Sequence, residues 1–116
     1  MEVIEYQDIS LKLAPMLDAL SHPARLQIII HLAKYYDCTA GSISERLPLS
    51  KSTVSQHLSK LKEIGLITAT PDGICQRYRL NDEMLNELNL QYHMMLNTIR
   101  ELSKTKIECP GGGCKK

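Results

Sequence analysis

The sequence predicts a mainly α-helical domain with one small β-hairpin, and three observations predict it. Residues 41–65, GSISERLPLSKSTVSQHLSKLKEIG, hold two helical segments separated by a break at Pro48. After Gly65 the apolar period changes from about 3.6 to about 2, and after Asn81 it returns to about 3.6. Hydrophobic residues make up 43% and charged residues 23% of the 116, a balance that lets one domain bury a modest core.

Each element follows from its own signals. Ile9, Leu13, Met16, Leu17 and Leu20 form a helical stripe over residues 8–20, where Pro15 kinks the helix or marks a late start. Ser21-His22-Pro23 breaks the chain; Pro23 suits the first position of a helix over 23–36, with Ser21 or His22 at its cap. Leu26, Ile29, Ile30 and Ala33, broadened by Ile28 and Leu32, make this helix the centre of the core, buried on most sides. Asp37 to Gly41 is a loop. Ser42-x-x-Glu45 is a capping box that opens a helix through Leu47, and Pro48 stops it.

In the next helix Val54, Leu58, Leu61 and Ile64 share one stripe, with Ser50 at the N-cap and Gly65 at the left-handed position past the end. Leu66 to Thr70 is a short β-branched strand and Pro71-Asp72-Gly73 a turn. Ile74 to Leu80 alternates, with Ile74, Gln76, Tyr78 and Leu80 on one face and Cys75, Arg77 and Arg79 on the other. Asn81 caps a last helix over roughly 82–104, with Asp82 and Glu83 placed to suit its dipole. Met84, Leu85, Leu88, Tyr92, Met95, Leu96, Ile99 and Leu102 line that helix on one side. This is more apolar surface than a small domain covers, so a second copy, meeting it together with the first helix, would bury it. The chain thus divides into a domain at 1–105 and a flexible, Cys-containing tail at 106–116, with no internal repeat.

Function is suggested by the polar side of the helix after Ser50. Lys51, Ser52, Thr53, Ser55, Gln56, His57, Ser59, Lys60 and Lys62 are short hydrogen-bonding groups and cations, with Glu63 the one acid among them. An ordinary amphipathic surface helix carries the same stripe. The preceding helix and the break of a few residues make the pair a helix-turn-helix, which fits the DNA major groove. A hairpin directly after it is a wing. Its basic face, Arg77 and Arg79, reaches phosphates or the minor groove, or else keeps an edge strand soluble. Lys51, Ser52, Thr53, Ser55, Gln56, His57, Lys60, Arg77 and Arg79 are therefore the candidate contacts to double-stranded DNA. A twofold dimer would double the phosphate contacts and read a near-palindrome.

The bulk composition excludes several classes. A formal net charge of +1 hides an uneven distribution: Glu2, Glu5, Asp8 and Asp18 face Lys12 alone in the first twenty residues, whereas residues 51–80 are cationic. With no Trp or Phe and five Tyr, there is no row of rings for stacking single-stranded bases. No apolar run approaches the roughly 20 residues of a membrane span, and the acidic start lacks a secretory stretch, so the expected place is the cytoplasm. No nucleophile cluster, phosphate loop or paired carboxylate stands out, and the protein is not expected to be an enzyme. His22 reads as a helix-start residue, and His31 and His93 as packing residues.

Four cysteines in a cytosolic chain should be mostly reduced, which favours metal or redox chemistry over a disulfide framework. Cys109 and Cys114 are separated by the four residues of a Pro-Gly-Gly-Gly spacer, next to Lys115 and Lys116, which lower a thiolate pKa. Two sulfurs are too few for tetrahedral zinc. A third from Cys38, or from a partner subunit, makes a site that trivalent arsenic or antimony accepts as an inducer. Reversible disulfide or persulfide formation would use the same thiols. An unstructured tail with incidental cysteines is the plain alternative, and Cys75 reads as a small strand residue.

Leu20-Ser21-His22-Pro23-Ala24-Arg25-Leu26, Leu49-Ser50-x-Ser52-Thr53-Val54-Ser55-Gln56-His57-Leu58-x-x-Leu61 and Gly65-Leu66-Ile67 together resemble the ArsR-type (arsenic-repressor) family of bacterial winged-helix repressors. The resemblance covers about residues 10–100. It implies a homodimer that sits on an operator and leaves when an inducer binds, with Ser52, Thr53, Ser55, Gln56 and His57 near base edges and phosphates and Arg77 contacting the minor groove or backbone. The metal motifs of that family are absent. A Cys-Val-Cys at the start of the first helix of the pair would fall on Thr39 and Gly41, one residue from Cys38, and the last helix has a lone His93 followed three residues on by Leu96. A winged-helix module that docks protein partners, and a thiol-transfer or metal-delivery protein using the tail, are the competing expectations.

Overall fold

The computed structural model describes residues 2–111, with side chains from Gln7 onward. The elements run α1 (Glu2–Leu20), α2 (Pro23–Lys34), α3 (Ala40–Arg46), α4 (Lys51–Ile64), β1 (Ile67–Asp72), β2 (Cys75–Leu80) and α5 (Asp82–Lys104). α1 starts well before residue 8 and continues through Pro15, which therefore does not mark a late start. A proline forfeits one backbone hydrogen bond. Leu13, Met16 and Ala19, all buried around it, hold the helix to the body.

His22 caps α2, its Nδ1 accepting the Ala24 N–H at 3.0 Å, and Pro23 takes the first turn. Burial on most sides is corrected: Ala24, Ile28, His31 and Leu32 face inward, whereas Leu26 and Ile30 are exposed. The unbroken apolar run Ile28-Ile29-Ile30 points in every direction around a helix, so its period cannot choose a face.

α3 also opens earlier than expected. Thr39 Oγ1 accepts the Ser42 N–H at 3.1 Å, and the Thr39 N–H donates to Ser42 Oγ at 3.2 Å. The capping box is thus Thr39 with Ser42, not Ser42 with Glu45. The deciding constraint is tertiary: Cys38 N–H donates to the Tyr78 carbonyl at 3.0 Å and Tyr78 N–H to the Cys38 carbonyl at 2.7 Å, which fixes the chain just before the cap. α4 starts and stops as its sequence says. Ser50 Oγ accepts the Thr53 N–H at 3.2 Å, and Gly65 closes the helix at φ 89°.

The hairpin is antiparallel and pairs Ile67 with Leu80 through Asp72 with Cys75. Its loop is therefore Gly73-Ile74 rather than Pro71-Asp72-Gly73, with Gly73 at φ 64°, where the first position of a tight hairpin loop favours glycine. Ile74 is corrected too: it stands fully exposed at the tip, while Tyr78 and Leu80 pack against the core. Ile28, Ile43, Val54, Leu58, Leu61, Leu66 and Ile67 form the centre of that core, drawn from α2, α3, α4 and the start of the hairpin. Asn81 hooks α5 to it, accepting the Met84 N–H and donating Nδ2–H to the Gly65 carbonyl at 2.9 Å.

α5 lies along α1. Ile9, Leu13, Leu17, Met95, Ile99 and Leu102 line a groove of about 400 Å³ between them, and Tyr92, Ile99 and Leu102 remain exposed. Among the described residues no helix is long and apolar enough to cross a membrane.

Candidate nucleic-acid interface

α4 is a polar rod fastened along one edge. Val54, Leu58 and Leu61 are fully buried, and the helix meets α1, α2, α3 and β1. Each such side chain contributes about 1.5–3 kcal/mol by leaving water, enough to set the rotation of the rod. The opposite edge shows Lys51, Ser52, Gln56 and Ser59 to solvent, with Thr53, Ser55, His57 and Lys60 half-buried at its flanks.

These side chains are not equally available. Thr53 Oγ1 accepts a hydrogen bond from Ser50 Oγ at 2.9 Å, so that hydroxyl belongs to the cap. His57 leans toward α2, its ring 4.5 Å from that of His22. Burial, and then the nearby His22 and Arg25, hold the His57 pKa below its ordinary value and favour the neutral ring. Lys60 Nζ lies 3.8 Å from Asp18 Oδ2, a solvent-exposed contact between α4 and α1. Lys51 makes no ion pair among the described residues.

The wing arginines are both engaged by groups of the protein itself. Arg77 Nε donates to Asp72 Oδ2 at 2.7 Å and Arg77 NH1 to the Asp37 carbonyl at 2.8 Å. Arg79 NH2 lies 3.6 Å from Asp37 Oδ1, and its guanidinium sits 4.7 Å over the Tyr36 ring. Asp37 adopts φ 66°, a left-handed conformation that Asp tolerates better than most residues. Sequence reasoning missed both Asp37 and Tyr36. The one local clue was an Asp in a loop, and its partner stands 40 residues away.

Wing and rod border one surface. A cleft of about 250 Å³ separates them, lined by Gly41, Lys51, Ser55, Cys75, Gln76 and Tyr78.

The cysteines are placed differently from one another. Cys38 is buried, its Sγ donating to the Tyr35 carbonyl at 3.2 Å, and burial pushes its thiol pKa up. Cys75 and Cys109 are exposed. Among the described residues no three His, Cys, Asp or Glu side chains converge as metal ligands, so Cys38 and Cys109 do not meet in such a cluster. Cys114, with Lys115 and Lys116, lies outside the described residues. His31 is buried as a packing residue, its ring 4.8 Å from Tyr35.

A helix-turn-helix with its second helix anchored from behind, followed by a hairpin sharing its open face, defines a winged-helix DNA-binding transcriptional regulator. Residues 22–69 match the family model described as bacterial regulatory protein, arsR family. The chain is 32% identical over 87 residues to the HTH-type transcriptional regulator YgaV of Escherichia coli K12, covering 75% of this chain and 88% of that one. It is also 32% identical over 78 residues to the arsenical resistance operon repressor of Staphylococcus xylosus, covering 67% and 74%. An ArsR-like transcriptional regulator from Rhodococcus sp. RHA1 superposes with a TM-score of 0.68 at 29% identity, over 81% of this chain and 89% of that one. The chain belongs to the arsR family of bacterial regulatory proteins.

Proposed function

We propose that this protein is a cytoplasmic, homodimeric repressor that occupies a double-stranded DNA operator and releases it when an inducer binds, acting by binding rather than catalysis. The observation that carries this reading is the exposed edge of Lys51, Ser52 and Gln56 on a helix whose other edge is wholly buried, bordering the same cleft as the wing. Ser55, His57 and Lys60 flank the contact, Thr53 holds the start of the rod, and Arg77 and Arg79, paired with aspartates in the free protein, would turn to the DNA backbone. Residues 1–105 form the DNA-binding and dimerisation unit, with 106–116 supplying thiols. The apolar groove between α1 and α5 supports pairing with a second copy, which would remove its exposed Ile99 and Leu102 from water.

The inducer reading starts from Cys109, which is exposed, and Cys38, which is buried beside the cap of α3. With Cys114 they supply three thiolates for trivalent arsenic or antimony, in keeping with the relative named for an arsenical resistance operon. Binding there would pull Cys38 from the Tyr35 carbonyl and disturb both the α3 cap and the Cys38–Tyr78 bridge to the wing. Thiol oxidation to a disulfide or persulfide is the second reading, favoured by the exposure of Cys109.

Mobility shifts with the native upstream DNA test the interface. Gln56→Ala should weaken binding by about 1–3 kcal/mol while the dimer persists, and wild-type affinity would remove Gln56 from it. Affinity should also fall steeply with salt, as a mostly apolar docking face for a protein would not. For the inducer, Cys109→Ser combined with Cys114→Ser should abolish release by arsenite; full release in the double variant takes the tail out of the mechanism.

A further inference from the structure

We propose that Asp37 and Asp72 form an electrostatic latch that holds the wing guanidinium groups on the protein and so sets how strongly the wing engages DNA phosphates. This rests on the reading of α4 and the wing as the DNA interface, and adds to it the residues that tune the contact.

Four charges meet at the wing and balance. Arg77 is forked between the Asp72 carboxylate at 2.7 Å and the Asp37 carbonyl at 2.8 Å. Arg79 stands 3.6 Å from the Asp37 carboxylate with its flat face on Tyr36. The cationic wing implied by the sequence is thus locally neutral in the fold. A carboxylate oxygen accepts the same N–H donors as a phosphate oxygen, in the same forked geometry. The Asp72 carboxylate therefore occupies an Arg77 donor that a DNA backbone would use, and the Asp37 carboxylate stands against Arg79 as its counter-charge.

The latch is built to open. The side chains of Arg77, Asp72 and Arg79 are each more than 40% exposed, and ion pairs that wet are weak and readily exchanged. The Arg79–Asp37 pair is incomplete: Arg79 Nε and Asp37 Oδ1 are buried without a hydrogen-bond partner among the described residues. Asp37, in contrast, is anchored. It sits directly before Cys38, whose backbone pairs with Tyr78, the residue between the two arginines. Thr39, the cap of α3, follows at once. Opening at Asp37 is thereby tied to the strand that carries the arginines and to the first helix of the DNA-binding pair.

The test is fluorescence anisotropy of the full chain with the native upstream duplex over a series of salt concentrations. It compares wild type, Asp37→Asn, Asp72→Asn and the double variant. Asn keeps the size of Asp and tolerates the positive φ at residue 37. Each single change should tighten binding several-fold at low salt and steepen the salt dependence by about one unit of slope per guanidinium released, with the double variant steepest. Adding Arg77→Ala to the double variant should remove the gain in slope assigned to Arg77. Weaker binding, or an unchanged slope in variants that keep the wild-type melting temperature, would overturn the latch and make the aspartates fixed supports. If Asp37→Asn fails to fold, Asp72→Asn alone decides the Arg77 half, since it lies at the exposed end of β1. Absence of salt-dependent binding by the wild type sinks the DNA-interface reading, and the latch with it. Wild-type binding with unaltered slopes in the variants sinks the latch alone.

Discussion

His57 is the residue at which the packing of α4 and its open edge meet. Its ring leans on His22, the cap of α2, with Arg25 nearby, so a proton on His57 is disfavoured by burial first and by those neighbours next. His31 is held low in the same way, by burial and then by Arg46 and Lys34. Both would protonate near about pH 6.5 in the unfolded chain. Below that pH the unfolded state binds more protons than the folded one. Their contribution to stability is therefore complete above about pH 6.5 and is lost as pH falls through the window down to the folded pKa values. The melting temperature should drop as pH falls below about 6.5, and His57→Gln should flatten that drop. An identical pH profile in the variant would show that the His22–His57 contact carries no proton linkage. The wing shows the opposite limit of residue-level reading. Arg77 and Arg79 were legible as a basic face, but their partner Asp37 was not, because nothing local to an alternating strand reports a loop four tens of residues upstream.

At the level of elements, what was legible was what local chemistry dictates. Ser50 and Asn81 cap α4 and α5, Pro23 opens α2, and Gly65 ends α4 in the left-handed region, each as expected from side-chain donors, acceptors or φ preference. What was not legible depended on competition between distant parts. Thr39 displaces Ser42 as the cap of α3 because the Cys38–Tyr78 bridge fixes the chain before it. α2 turns Leu26 and Ile30 to solvent although its run of isoleucines offers the core a choice of faces. The hairpin loop slides one residue toward Ile74, since pairing Asp72 with Cys75 extends β1 through Pro71. Gly65 offers a test at this scale. A Cβ there would meet an unfavourable φ of 89° and lie 3.1 Å from Met84 Cε. Gly65→Ala should cost about 1–2 kcal/mol in urea unfolding, loosening the joint that Asn81 makes between α4 and α5. An unchanged unfolding midpoint would mean that the joint yields freely and does not set the angle of the rod.

For the whole molecule, one copy has one reading helix, a wing whose cations are balanced by its own aspartates, and an uncovered groove along α1 and α5. So few phosphate contacts from a single copy would bind weakly at physiological salt. In the proposed dimer, a twofold pair closed over the groove would remove the exposed apolar face and would present two rods to one side of a duplex. The most direct measurement is dimethyl sulfate protection of guanine N7, an atom of the major groove, on the native upstream DNA. Two protected major-groove segments are expected, centred about 10–10.5 base pairs apart or a multiple of that spacing, and related by a near-palindrome. A single protected segment, or binding that leaves every guanine N7 open, would contradict it.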